Sequence, residues 1–82
     1  MYNFLFTRRA LKDLEKLDEA TQQRLLEKIR DYAQEPLKYA RKLTSPKIGT
    51  YRFRIGDYRV IFDIEDDNIV ILRLGHRKKI YE

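Results

Sequence analysis

Hydrophobic and polar positions change period along this chain, and the changes outline its elements. Residues 2–6 (YNFLF) are aromatic and apolar and predict a first strand. Thr7 then stands where a helix cap belongs. Leu11, Leu14 and Leu17 recur every third residue, one stripe of an amphipathic helix over about 8 to 17. Asp18 is the next N-cap candidate. Leu25, Leu26, Ile29, Tyr32 and Ala33 form a wider stripe on a second helix that Pro36 ends. Two helices so closely linked imply an antiparallel helical hairpin whose apolar face needs a sheet to cover. Residues 37–49 have no clear period and read as a basic connector with a turn near Ser45-Pro46. Period two then takes over in three segments: TYRFRI (50–55), DYRVIFDIE (57–65) and NIVILRLGH (68–76). The order β-α-α-β-β-β predicts an α+β fold, a mostly antiparallel sheet with the two-helix hairpin packed on one face. With 82 residues the whole of 1–82 is expected to be one domain with a thin core.

The alternation also sorts side chains between the two faces of the sheet. A two-residue turn at Gly56-Asp57 sets Ile55 opposite Tyr58, Arg54 opposite Arg59, Phe53 opposite Val60 and Arg52 opposite Ile61. Tyr51, Phe53, Ile55, Tyr58, Val60 and Phe62 then share the face that the helices cover, and Arg52, Arg54 and Arg59 project from the other. At the next turn, two residues (Asp66-Asp67) would carry Arg73 into the core. A three-residue turn, Asp66-Asp67-Asn68 with Asn68 left-handed, avoids this. It places Ile61 opposite Arg73, Arg59 opposite Gly75, Val60 opposite Leu74 and Phe62 opposite Leu72. Arg73 joins the arginine face, Gly75 leaves open space beside Arg59, and Arg77, Lys78 and Lys79 flank the cluster. His76 falls opposite Tyr58 on the core side. Asp57 is the one acid near the cluster and reads as a turn residue.

Composition narrows the chemistry. There is no cysteine, so neither a disulfide nor a thiolate metal site can form, and one histidine alone makes no zinc site. No metal and no cofactor are expected. No apolar run approaches the roughly 18–20 residues of a membrane span, and MYNFLFTRR lacks the features of a signal peptide. A cytoplasmic protein without a membrane partner is the expectation. The net charge is +5, which favours a polyanionic partner. Like charges directly opposite on a sheet are destabilising, so Arg54 facing Arg59 is a local cost that folding alone does not explain. Arginine forks match phosphate oxygens bidentately, which points the face toward phosphate.

The segments YRFRIGDYRVIF and ILRLGHRKKIY, with FTRRALKDLEKL as a first helix and RKLTSPKIGTYR leading into the hairpin, resemble the RelE/ParE superfamily of type II toxin–antitoxin toxins. The resemblance covers nearly the whole chain and is closer to the RelE branch. It implies the same β-α-α-β-β-β fold, a cognate antitoxin protein as partner, and one of two targets. RelE-type members cleave mRNA in the ribosomal A site without a metal, whereas ParE-type members inhibit DNA gyrase. The leading expectation is a ribosome-dependent mRNA endoribonuclease that inhibits translation, with ribosome and mRNA as partners. The alternatives are a ParE-like gyrase inhibitor, or a catalytically weak relative that mainly binds antitoxin or RNA. Carried over residue by residue, the RelE site implies Arg52, Arg54, Arg59, Arg77 and Tyr81 as catalytic residues. Arg59 would hold the scissile phosphate, Arg77 would serve the leaving oxygen, and Tyr81 would stack on a base. Arg73, Lys47, Lys78 and Lys79 are the expected RNA-binding residues. The chain departs from RelE toxins that carry lysines where Arg52 and Arg54 stand. A lysine can serve as a base and an arginine effectively cannot, which leaves His76 as an alternative base.

Overall fold

The computed structural model describes residues 2–44 and 49–80; Lys47, Tyr81 and the expected Ser45-Pro46 turn lie outside them. Eight elements follow in order: β1 (Asn3–Phe6), α1 (Arg8–Glu15), α2 (Glu19–Tyr32), α3 (Pro36–Tyr39), β2 (Arg41–Lys42), β3 (Tyr51–Ile55), β4 (Tyr58–Glu65) and β5 (Asn68–His76). The sheet order is β1-β5-β4-β3-β2, antiparallel except where β1 lies parallel to β5. The α+β expectation holds. The additions are α3 and β2, both in the stretch read as a structureless connector. No helix among the described residues is long and apolar enough to cross a membrane.

Both helix starts are capped as expected. Thr7 Oγ1 accepts from the Ala10 N–H at 3.2 Å, and Asp18 accepts from the Thr21 N–H at 3.2 Å and the Thr21 hydroxyl at 2.6 Å. Pro36 does not simply end the second helix. That helix stops at Tyr32, with Ala33 as its C-cap, and Pro36 opens α3 at a position where its missing N–H costs nothing. The stripe of α2 is as read except at Leu26, which the core does not include: Leu25, Ile29 and Ala33 are buried, and Tyr32 packs edge-on against Phe53 at 5.3 Å. The stripe of α1 holds for Leu14 and Leu17, which pack against the core, but not for Leu11. Leu11 is 46% exposed, and Ala10 and Asp13 are the buried positions. One core unites both helices with Phe53, Ile55, Val60 and Phe62 from the hairpin and with Ile69, Ile71 and Leu74 from β5.

The β3–β4 register matches the expected one pair for pair. The β4–β5 register matches only in its upper half, where Tyr58 pairs with His76, Arg59 with Gly75, Val60 with Leu74 and Ile61 with Arg73. Below it, Phe62 pairs with Ile71 rather than Leu72, and Glu65 with Asn68. The turn therefore has two residues, with Asp66 and not Asn68 in the left-handed conformation (φ 55°). A β-bulge between Ile61 and Phe62 leaves Leu72 unmatched. The reason for expecting a longer turn was sound, since Arg73 does have to leave the core. One extra residue in mid-strand achieves this instead of one extra residue at the turn.

The bulge lies where β1 ends, since Phe6 pairs with Ile71 and the chain then turns into α1. From there α1 continues the edge. The Thr7 N–H donates to the Ile71 carbonyl at 3.0 Å and the Thr7 hydroxyl to the Leu72 carbonyl at 3.2 Å. Asp13, only 8% exposed, accepts from the Leu74 N–H at 3.1 Å and from Arg73 through Nε (3.1 Å) and Nη2 (3.3 Å). A buried carboxylate thus completes the ladder where the first strand has run out.

Asp13→Ala should lower the unfolding free energy by roughly 2–3 kcal/mol, because three N–H donors, two on Arg73 and one on Leu74, lose their acceptor in a largely buried setting. Urea titration followed by circular dichroism would measure it, and a loss below about 0.5 kcal/mol would reduce the contact to an incidental one. A second expectation concerns acid. Bonds from the Thr21 hydroxyl and then the Thr21 N–H hold the Asp18 carboxyl below its ordinary value of 3.8. A depressed carboxyl adds stability that is present above the unfolded value and is lost as pH falls through the folded one. Thr21→Val should therefore melt below the parent chain at neutral pH, and the gap should close as pH drops below 3.8.

Candidate functional site

The face of the sheet turned away from the helices carries arginine from four strands. Arg54 stands directly opposite Arg59, Arg52 opposite Ile61, and Ile61 opposite Arg73. On its other side Arg52 faces Arg41 of β2. Arg41 was missed in the sequence because a two-residue strand has no period to read. Its place is fixed by the ladder, by a Leu43 N–H donating to the Thr50 carbonyl at 2.9 Å, and by α3, whose Tyr39 stacks on Tyr32 at 4.2 Å.

This face is only partly open. Ile61 is fully buried, because the backbone at Gly49 crosses it. A Cβ on Gly49 would come within 2.5 Å of Ile61 Cγ2 and 3.0 Å of Leu72 Cδ1, and the φ of 154° also favours glycine. The space expected beside Gly75 is taken by Ile80, whose Cδ1 would lie 3.6 Å from a Cβ there. Residues 77–80 turn back over the sheet. The Lys79 and Ile80 N–H groups donate to the His76 carbonyl at 2.9 and 3.0 Å, and Ile80 is buried.

Arg59 departs most from its expected setting. It is 4% exposed rather than open to approach, and its Nη1 donates to the carbonyls of Gly56 (2.9 Å) and Tyr58 (2.8 Å). Its guanidinium is thereby folded toward the β3–β4 turn, and it has further interactions beside these. Arg77 converges on the same turn. Its N–H donates to the Asp57 carbonyl at 2.8 Å, and its Nε lies 3.7 Å from the Asp57 carboxylate. Asp57 therefore does more than make a turn: it clasps the chain after β5. The ion pair is exposed on both sides and contributes little stability, so its effect is to orient.

The remaining candidates separate into two places. Arg54 is exposed on the sheet face, and Arg52, half-buried there, has an interaction partner. Arg73 stands 24% exposed and is bound to Asp13, an acid the sequence reading did not bring near the cluster. Arg73, Lys78 and Lys79 line a separate cleft of about 540 Å³ with Tyr58, His76 and Lys16, between α1 and the 77–80 turn. His76 is packed as expected for its register. Its ring meets Tyr58 edge-on at 5.7 Å, and its Nδ1 accepts from the Lys78 N–H at 3.1 Å. That bond places the ring proton of neutral His76 on Nε2.

The family model described as "ParE toxin of type II toxin-antitoxin system, parDE" matches residues 4–81. The chain belongs to this toxin family. Toxin RelG of Mycobacterium tuberculosis is 36% identical over 83 residues, covering 98% of this chain and 95% of RelG. Among solved structures, the RelBE2 toxin–antitoxin complex of M. tuberculosis aligns with a TM-score of 0.83 at 35% identity, covering 93% of this chain and 98% of that one. The archaeal RelE–RelB complex of Pyrococcus horikoshii aligns with a TM-score of 0.73 at 33% identity, covering 95% and 97%. The RelE/ParE resemblance drawn from the hairpin and C-terminal motifs is thus confirmed, and the protein is a toxin of a type II toxin–antitoxin system.

Ile80→Ala tests the cover over the sheet. Emptying this buried position should cost about 2 kcal/mol, the low end for Ile→Ala because a terminal turn can collapse into the gap. Urea denaturation measures the cost. A variant as stable as the parent would mean that the 77–80 turn does not hold Ile80 on Gly75 in solution.

Proposed function

We propose that this toxin is a metal-independent, ribosome-dependent mRNA endoribonuclease of the RelE type, cytoplasmic and restrained by a cognate antitoxin. The observation that carries the reading is the convergence of Arg54, Arg59 and Arg77 at the β3–β4 turn, with Arg54 and Arg59 directly paired across the ladder. The solved relatives reported above at 33–35% identity are toxin–antitoxin complexes, which supports an antitoxin as partner. An acidic, amphipathic segment that folds on binding would suit the basic surface.

The chemistry asks for fixed positive charge. The 2′-oxygen of the nucleotide attacks its own 3′-phosphate, its proton leaves to a base, and a phosphorane carrying extra negative charge forms. The bond from phosphorus to the 5′-oxygen then breaks and that oxygen gains a proton, giving a 2′,3′-cyclic phosphate and a 5′-hydroxyl. Arg59, held by two backbone carbonyls, is the pre-aimed donor for the phosphorane oxygens. Arg54 supplies the second fork, and Arg77, oriented by Asp57, steadies the departing oxygen. Arg52 adds charge along the same strand. Because Arg59 is only 4% exposed, substrate binding has to open the structure around it. Arg73, Lys78, Lys79 and Lys47 contribute to binding RNA, and Tyr81 stacks on a base. His76 has its Nδ1 lone pair engaged by the Lys78 amide, so the 2′-proton leaves to solvent water and the 5′-oxygen takes its proton from solvent.

Arg59→Ala and Arg77→Ala should each slow cleavage of mRNA on programmed ribosomes by about 10²–10³. Arg59→Lys, which keeps the charge but loses the fork, should fall between Arg59→Ala and the parent, with circular dichroism unchanged in all three. His76→Gln should stay within a few-fold of the parent. Dead His76→Gln beside active Arg59→Ala would reverse these roles, and stalled gyrase–DNA complexes without mRNA cleavage would replace the reading with a ParE-type one.

A further inference from the structure

We propose that His76 makes the 77–80 turn an acid-released latch, closed on the sheet while its imidazole is neutral and loosened once the ring is protonated. The bonding of the turn singles this residue out. The amides of Arg77, Lys79 and Ile80 all donate to backbone carbonyls, that of Asp57 in the first case (2.8 Å) and that of His76 in the other two (2.9 and 3.0 Å). The amide of Lys78 donates instead to a side chain, His76 Nδ1, at 3.1 Å. A neutral imidazole has one accepting nitrogen, whereas a protonated one has two N–H donors and no acceptor. A proton on Nδ1 therefore sets two donors against each other at 3.1 Å. The closed turn and the charged ring exclude one another.

The ring is not free to swing aside, because its edge-on packing against Tyr58, with centroids 5.7 Å apart, holds it. The charges around it press the same way. Lys16 and Asp13 line its cleft from α1, Tyr58 from β4, Arg73 from β5, and Lys78 and Lys79 from the turn itself. Asp13 already accepts from Arg73 and from the Leu74 N–H, and Asp57 across the ladder is engaged by Arg77. The cations Lys16, Arg73, Lys78 and Lys79 therefore oppose a further positive charge on the ring. Moving Lys78 and Lys79 away relieves it, and opening the turn does this. Because the closed turn accepts only the neutral ring, falling pH depletes it, over the range of about 8 to 5 in which an imidazole gains its proton. The same turn carries Arg77 and sets Ile80 on Gly75, so its loosening disturbs both.

Hydrogen exchange at the Lys79 and Ile80 amides reads the latch, followed by NMR on the full chain and corrected for the intrinsic pH dependence of exchange. The His76 ring is titrated in the same samples. In the parent, protection at both amides should fall by roughly two- to tenfold as the ring protonates, the worth of one net hydrogen bond. His76→Asn separates the proton from the bond, because its side-chain carbonyl accepts from the amide two residues on but does not titrate. Its protection should stay level from about pH 8 to 5. His76→Gln, whose longer side chain carries its amide past the Nδ1 position, should be low at both ends. Parent protection that stays level through the ring's titration overturns the latch. So does a fall in His76→Asn parallel to the parent's, which would assign the loosening to other groups. Cleavage on programmed ribosomes is scored alongside, where acidification should cost the parent a few-fold relative to His76→Asn. Cleavage by neither chain at any pH sinks the endoribonuclease reading, while the exchange data decide the latch.

Discussion

One extra residue in β5 sets the arrangement of everything above it. Without the bulge, the two-residue turn at Asp66-Asp67 would continue as Ile61 opposite Leu72, Val60 opposite Arg73 and Arg59 opposite Leu74, and Arg73 would face the helices. With it, Ile69 and Ile71 below and Leu74 above all reach one core, while Arg73 and Gly75 turn to the other face. A register slip of one is normally fatal to a half-buried sheet. Here it is confined to a single step, and the site is built on the shifted half.

The bulge also explains the placement of Asp13. A strand edge that outlasts its neighbour leaves backbone groups to be satisfied. β1 serves β5 up to Ile71, and beyond that Thr7 and then Asp13 take over from α1. The same carboxylate holds Arg73, so one buried acid satisfies the ladder and anchors a cation of the basic surface. At the other end, the Asp57 carbonyl and carboxylate hold Arg77 in a comparable division of labour. Of the three acids discussed, two act on arginines and the third, Asp18, caps a helix.

The parts legible in the sequence were those carried by local period and turn chemistry. The β3–β4 hairpin came out pair for pair because Gly56-Asp57 and strict alternation leave one solution. Both caps were read from Thr7 and Asp18. The buried stripe of α1 was misread because Leu11 drew it. Ala10, Asp13, Leu14 and Leu17 make the real one, and a carboxylate on that stripe was the available sign of a buried acid awaiting a partner. The bulge could not be seen, since a three-residue turn and a two-residue turn followed by a bulge both meet the demand that Arg73 leave the core. Nor could the seating of Ile80 on Gly75, which depends on where residues 77–80 fold back. Period does not describe a turn of that kind.

The parallel pairing of β1 with β5 has a consequence for biosynthesis. Asn3 to Phe6 can find Asn68 to Ile71 only after nearly all the intervening chain exists, so the sheet is closed by the contact with the longest separation in sequence. Such contacts form late and slowly, because the loop entropy comes first. The last strand also carries Arg73 and Gly75 and leads into the turn that sets Ile80 on Gly75. A nascent chain of this toxin therefore lacks both its closed sheet and its finished basic face until β5 has emerged.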